Sequence, residues 1–309
     1  MPEPAADAVT LADPDSTLQA TFVPAAGMIG TSLRDGDIEF LGQRRGLDAY
    51  LTDGKTMGIP ILYPWANRLS TLSYRAEDRD VTLTPGVNGV RTDNHGAPMH
   101  GVLAGYRGWK VLAQSANSLT AEVDFETDPA LLASFPFPHT LTQQVTLQGR
   151  TLSIQTTVTP GAGVTVPLCF GYHPYLTIPG VPRALWQINT PSMRHLAVDD
   201  HGLPTGTHSP WLGGPQILGD TAFDDGFDSV PAGAEFTVHG GDTQITVTFD
   251  AGYSAAQIFA PLAEEVVCFE PMAAPTDALR RGGYPVANGE PAVYRFSITI
   301  TSRADGKLT

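Results

Sequence analysis

A chain of 309 residues with a formal charge of −14 and a pI near 4.8 lacks the clustered Lys and Arg with which a surface displaces counterions from nucleic acid or an anionic membrane. A single arginine in a pocket, and an anionic small molecule held by it, are not excluded. The 32 glycines and 26 prolines are spread along the chain with no Ser/Gly linker and no shift in charge, so one domain over residues 1–309 is expected.

The opening MPEPAADAVTLADPDS has neither a basic start nor an apolar stretch, and no later run is long enough to span a bilayer, so a cytoplasmic protein is expected. Thr56–Arg68 follows as a Gly- and Pro-rich segment. Its end, Asn67-Arg68, presents amide and guanidinium donors just after Tyr63-Pro64-Trp65, beside a large aromatic. Asn94–Gly108 is similarly irregular and carries His95 and His100. No HExxH, cysteine cluster or dense carboxylate set accompanies these two, so no metal is expected. His100 reads as a hydrogen-bond donor to a ligand and His95 as a loop residue.

Asp128–Ser134 has helix-forming composition and is stopped by Pro136 and Pro138. Leu141–Val158 alternates apolar and polar residues around Gln148-Gly149-Arg150, which predicts a hairpin. The apolar run Val164–Phe170 leads into Gly171-Tyr172-His173-Pro174-Tyr175. Pro174 restricts His173 to extended backbone, setting an imidazole at a strand end among aromatics, where its titration is easily tuned. By itself His173 reads equally well as a half-buried structural histidine.

Leu212–Val230 reads as an irregular, acidic loop containing Asp224-Asp225-Gly226-Phe227, in which Asp224 by itself is a solvated turn residue. A second hairpin is predicted from Phe236 to Phe249, with Gly240-Gly241 supplying positive φ at its turn. Val266-Val267-Cys268-Phe269-Glu270-Pro271 ends an apolar strand on a carboxylate, which is either solvated at the rim or held for use. Val293–Thr301 closes the chain as a further strand. Cys169 and Cys268, the two cysteines, lie in apolar segments and are expected to be buried reduced thiols. A large antiparallel β-sandwich is the fold this pattern implies, with its irregular segments gathered at strand ends where sites are built.

Four motifs, in register, resemble the aldose 1-epimerase (galactose mutarotase) family. They are Gly58–Arg68, Met99-His100-Gly101 with Trp109 downstream, Gly171–Tyr175, and Phe269-Glu270-Pro271 followed by Pro275-Thr276-Asp277-Ala278. The resemblance implies a galactose mutarotase-like supersandwich with a cleft, without metal or organic cofactor. It implies His173 as general acid, Glu270 as general base, and Arg68, His100 and Asp224 as contacts to a small-molecule sugar, with Asn67 beside them. Adjacent Asp225 leaves the aspartate assignment open. Leu176 stands where a Phe is usual and is expected to alter one pocket wall. Pro271 stands where many galactose mutarotases carry Gln, which puts galactose preference in question. Ala104 stands near an arginine expected in hexose-6-phosphate mutarotases, with Arg107 later.

The activity implied is aldose 1-epimerase: Glu270 takes the C1 hydroxyl proton of a hexose, His173 protonates the ring oxygen, and closure after rotation reverses both transfers. Alternatives are a hexose-6-phosphate mutarotase and a non-catalytic carbohydrate-binding protein on the same fold. Glycoside hydrolysis would call for two carboxylates flanking the bond. The protein is expected to be a monomer or homodimer with no nucleic-acid or membrane partner.

Overall fold

A computed structural model describes residues 8–302; the first seven residues of the N-terminal segment read above lie outside the described residues. Among those described, no helix is long and apolar enough to cross a membrane. Alternation builds the predicted hairpin from two strands, His139–Gln148 and Thr151–Pro160. Leu141 faces Val158, Val145 faces Ile154 and Leu147 faces Leu152. All six are buried, because a period of two puts every second side chain on the same face. Asp128 caps the short helix Pro129–Ser134 by accepting from the N–H groups of Ala130 and Leu131.

A nine-stranded antiparallel sheet runs in the order Gly214–Ile217, Gln187–Thr190, Ala234–Gly240, Thr243–Ala251, Ala292–Ser302, Thr151–Pro160, His139–Gln148, Ser118–Asp124 and Lys110–Gln114. An eight-stranded sheet is ordered Pro204–Trp211, Met193–Val198, Phe223–Asp228, Ala255–Ala260, Val267–Met272, Gly171–Tyr172 and Ile61–Leu62, with Tyr175–Leu176 also paired to Val267–Met272. Their facing sides interdigitate. The ring of Phe236 in the first lies 5.6 Å from Phe269 in the second, and Phe296 lies 5.0 Å from Tyr172. Burying each such ring stabilises the sandwich by roughly 1.5–3 kcal/mol. A four-stranded sheet, Val9–Ala12 through Ile38–Glu39, covers the N-terminal part of the core.

Several local readings are corrected. Leu212–Val230 is not a loop: it contains the strands Gly214–Ile217 and Phe223–Asp228, because each has a complete antiparallel partner that overrides its glycine, proline and aspartate content. Glu270 is interior to Val267–Met272 and 1% exposed, since Pro271 pairs with Ala256 without ending the strand. In the second hairpin Gly240 pairs with Thr243, and of the two glycines only Gly241 has positive φ, 59°; Gly240 belongs to the strand. Leu176 is fully buried in the main core, paired with Val267, and forms no wall of the cleft described below. A helix at Gly46–Asp53, ended by Gly54 in the left-handed region, was not signalled by periodicity. Both cysteines are free and buried, as expected.

Candidate active site

The pleat of the eight-stranded sheet decides which side chains meet. Along Val267–Met272, Phe269 points to the sandwich core while its neighbour Glu270 points to the opposite face. On the next strand Gln257 pairs with Glu270, and beyond it Phe259 pairs with Asp224. That outer face is roofed by the segments around residues 44–68 and 91–104, leaving a cavity of about 430 Å³. Asn67, Arg68, His100, His173, Asp224 and Glu270 all line it. Asp224 lies on a strand, not in a loop. Asp225 points to the other face, where its Oδ1 is 2.8 Å from His195 Nε2, so the pleat distinguishes the two aspartates.

Two roof segments are laced backbone to backbone. His100 N donates to Asn67 O at 2.8 Å, Val102 N to Tyr63 O at 2.8 Å and Leu69 N to Pro98 O at 2.9 Å. Gly101 sits between at φ 68°, and a Cβ there would stand 2.0 Å from Tyr63 O, which is why glycine follows His100. This lacing carries Arg68 and His100 into the cleft together. Arg68 Nε donates to Asp93 Oδ2 at 2.8 Å. Burial alone would raise the Asp93 carboxyl, but Arg68 and the N–H groups of Ala97 and His95 hold it below the usual range. His95 itself packs edge-on against His201 at 4.5 Å and does not line the cleft.

His173 and Glu270 meet at the floor. His173 Nε2 is 3.2 Å from Glu270 Oε1, and the two are 6% and 1% exposed. The imidazole stacks on Tyr175 with centroids 4.2 Å apart and planes 9° from parallel, and meets His100 edge-on at 5.8 Å. His173 Nδ1, His100 Nδ1 and Glu270 Oε2 are buried without a protein partner, so each has hydrogen-bonding capacity to offer. Burial, then competition with the neighbouring His100 imidazole for a proton and the charge of Arg44, push His173 well below the normal histidine range. Burial and then Asp224 push Glu270 well above that of a carboxyl, against the pull of Arg68. Burial and Arg68 hold His100 down to about 3, so it is a neutral imidazole.

The cleft therefore favours an uncharged pair, neutral His173 beside protonated Glu270. Moving one proton along the 3.2 Å contact yields imidazolium and carboxylate without changing the net charge of the pocket. A pair with one shared proton can act as acid at one atom and base at another. Among the described residues no cluster of three or more His, Cys, Asp and Glu is placed to hold a metal ion.

The aldose 1-epimerase family profile matches residues 7–299. The chain belongs to that family. No curated protein matches it in sequence. Solved structures do match in shape. A protein of Synechocystis sp. PCC 6803 is 21% identical with TM-score 0.77, covering 97% of this chain and 98% of its own. A galactose mutarotase-like protein of Clostridium acetobutylicum is 15% identical with TM-score 0.80, covering 96% and 95%. The GalM/aldose epimerase homologue of C. elegans is 17% identical with TM-score 0.77, covering 96% and 99%. At these identities the likeness establishes the galactose mutarotase-like fold.

Behind the lining of this aldose epimerase cleft, and within it, stand groups that reading the sequence missed as site residues. Gln257 Nε2 donates to Asp224 Oδ1 at 2.8 Å and so orients that carboxylate. A lone amide in the apolar run Ala255–Ala260 was a usable signal, because an unpartnered buried amide is costly. Asp277, 1% exposed with φ 66°, accepts from Ser70 N and Oγ and donates its own N–H to Arg68 O at 3.1 Å, anchoring the arginine from behind. Tyr175 stands within the Gly171–Tyr175 motif, which marks no role for it; Asp93 and Arg44 carried no local signal, since their partners Arg68 and Glu264 are remote in sequence.

Proposed function

We propose that this chain is an aldose 1-epimerase, an isomerase that interconverts the α and β anomers of a free hexose, acting as one unit across residues 1–309 without a cofactor. What supports this above all is the buried His173–Glu270 contact of 3.2 Å at the floor of a cleft lined by hydrogen-bonding groups. A hemiacetal must lose a proton from its C1 hydroxyl while its ring oxygen gains one. Glu270 as carboxylate takes the first and His173 as imidazolium supplies the second, which opens the ring to the aldehyde. Rotation about C1–C2 exposes the other carbonyl face, and closure returns both protons. The pair ends as it began.

Arg68, His100, Asn67 and Asp224 orient the sugar hydroxyls, and Phe259 provides an apolar wall. Of the cleft cations, Arg44 is paired with Glu264 and Arg68 with Asp93, so a free hexose meets no unpaired charge at either. Arg91, which donates to the carbonyls of Tyr50 and Leu51, and Lys55 also line the cleft and are the groups a sugar phosphate would engage. The test is polarimetry on freshly dissolved α-glucose and α-galactose, with glucose 6-phosphate compared at fixed ionic strength. Acceleration of the free sugars is expected. No acceleration with any aldose would favour a carbohydrate-binding protein, and preference for the phosphate would overturn the substrate class.

A second expectation concerns orientation. Asp93→Asn removes the charge that holds Arg68 Nε, so the guanidinium loses its fixed angle toward the sugar. The expected result is a rise in KM of about tenfold with kcat changed much less, as when binding is lost equally from ground and transition states. An unchanged KM would show that Arg68 does not contact the substrate.

A further inference from the structure

Arg44 lines the cleft, yet nothing in the mechanism above uses it. Its backbone lies at φ 43°, a left-handed conformation that a non-glycine residue holds only when its surroundings enforce it. Here the side chain does the enforcing. Nε and Nη2 donate to the two oxygens of Glu264 at 2.6 and 2.8 Å. Nη1 donates to Thr56 O at 3.2 Å and to Tyr175 Oη at 2.9 Å. The guanidinium carbon stands 4.7 Å from the centroid of the Tyr175 ring, within the range of a cation–π contact.

Tyr175 is the next link. Its ring is stacked on His173, and Oη is 3.0 Å from His173 Nε2 and 2.6 Å from Thr56 Oγ1. A phenol has one proton and two lone pairs. Arg44 can only donate, so it occupies one lone pair. With Thr56 donating to the other, the phenolic proton goes to Nε2 while that atom is unprotonated; once the proton from Glu270 sits on Nε2, the phenol turns its proton to Thr56 Oγ1 and accepts from the ring N–H. Nε2 is the same atom that faces Glu270.

We infer that Arg44 is a positioning residue for the epimerase reaction: it fixes the Tyr175 phenol against His173 and thereby the hydrogen bonding of Nε2. This rests on the reaction proposed above. The charged and titratable groups around the imidazole are Glu270 at 3.2 Å, Tyr175 at 3.0 Å, His100 edge-on at 5.8 Å, and Arg44 behind Tyr175. Burial, His100 and Arg44 all disfavour the imidazolium. Loss of Arg44 therefore eases protonation of His173 and frees the phenol to turn away.

The test is a double-mutant cycle with two readouts on the full chain. Arg44→Ala is expected to lower kcat on the order of 10–100-fold with KM near wild type, the cost of misplacing a reacting group. The ring resonances of His173, followed by NMR without substrate, are expected to titrate about one pH unit higher than in wild type. Tyr175→Phe should reproduce the loss in kcat, and Arg44→Ala added to it should cost little more, because both act through one contact. Methylguanidinium should restore part of the rate to Arg44→Ala. Fully additive losses, or a His173 titration unmoved by Arg44→Ala, would overturn the inference. Should Arg44→Ala fold poorly, Arg44→Lys keeps the charge without the two-pronged contact; wild-type kcat with only a lower melting temperature would equally overturn it. The NMR arm needs no turnover, so a wild-type protein with no epimerase activity would sink the reaction and leave the Arg44–Tyr175–His173 linkage separately measurable.

Discussion

Glu270→Gln is expected to lose about 10²–10⁴ in the rate of anomer exchange, the usual contribution of a positioned acid or base, while the protein becomes more stable at neutral pH. Glutamine keeps the shape and one acceptor oxygen beside His173 but cannot take a proton from the C1 hydroxyl. The stability change follows from linkage. Burial and Asp224 raise the folded-state carboxyl well above its ordinary value, so the favourable contribution of Glu270 is present below the unfolded value near 4.5 and is lost as pH rises toward the folded one. At pH 7 the amide is free of that penalty. His173→Asn should lose rate to a similar extent, and the double variant little more than either, since groups that exchange one proton act as a unit. Polarimetric kcat/KM with thermal melts at pH 7 reads both effects. Wild-type rates in both single variants would refute the assignment, and a destabilised Glu270→Gln would refute the account of its burial.

Acid should destabilise this fold earlier than carboxylate protonation alone would do. His139 is 1% exposed and has no part in the proposed chemistry. Its Nδ1 faces the carbonyl of Phe137 and its Nε2 lies 2.6 Å from Tyr63 Oη. A ring that donates from Nδ1 to the carbonyl must accept at Nε2 from the phenol, and it also stacks on Phe125 at 4.3 Å. Burial lowers it to about 4, and His100 is lowered to about 3.

In the unfolded chain both return to about 6.5, so below that pH the unfolded state binds protons the folded state refuses. The stability is present above pH 6.5 and lost as pH falls through 4 for His139, and toward 3 for His100. Each histidine then costs about 1.4 kcal/mol per pH unit across its window, on the order of 3 kcal/mol in all for His139. Glu270, protonated on folding, opposes this only near and above 4.5. Urea unfolding at pH 7, 5.5 and 4.5 should show the decline, and His139→Gln should flatten it. A decline between pH 7 and 4.5 unchanged by His139→Gln would show that this imidazole is charged in the folded state.

The fold was legible wherever a period of two persisted over a strand and its partner lay close in sequence. Leu141–Val158 is a case in point, because each strand's apolar face is complete in itself and the turn is two residues long. Phe223–Asp228 was misread for the opposite reason. With two buried aromatics among aspartates and a glycine, its strand character comes from Met193–Val198 on one side and Ala255–Ala260 on the other. Glu270 was misplaced at a strand end because proline commonly closes a strand, and the pairing of Pro271 with Ala256 is invisible locally.

The site divides along the same line. The sequence by itself determined which side chains were candidates. His173, Glu270, Arg68, His100, Asn67 and Asp224 were marked by residue chemistry, by motif order and, for His173, by the backbone restriction of Pro174, all of which are local or ordinal properties of the chain. Only the tertiary structure decided that Glu270 is buried against His173, that Asp224 rather than Asp225 faces the cleft, and that Arg44 reaches His173 through Tyr175. Those facts depend on sheet register and on contacts between residues far apart in sequence, such as Arg44 and Glu264. Burial and distance set the direction in which His173, Glu270 and His100 are shifted, and neither is a property of a residue's neighbours along the chain.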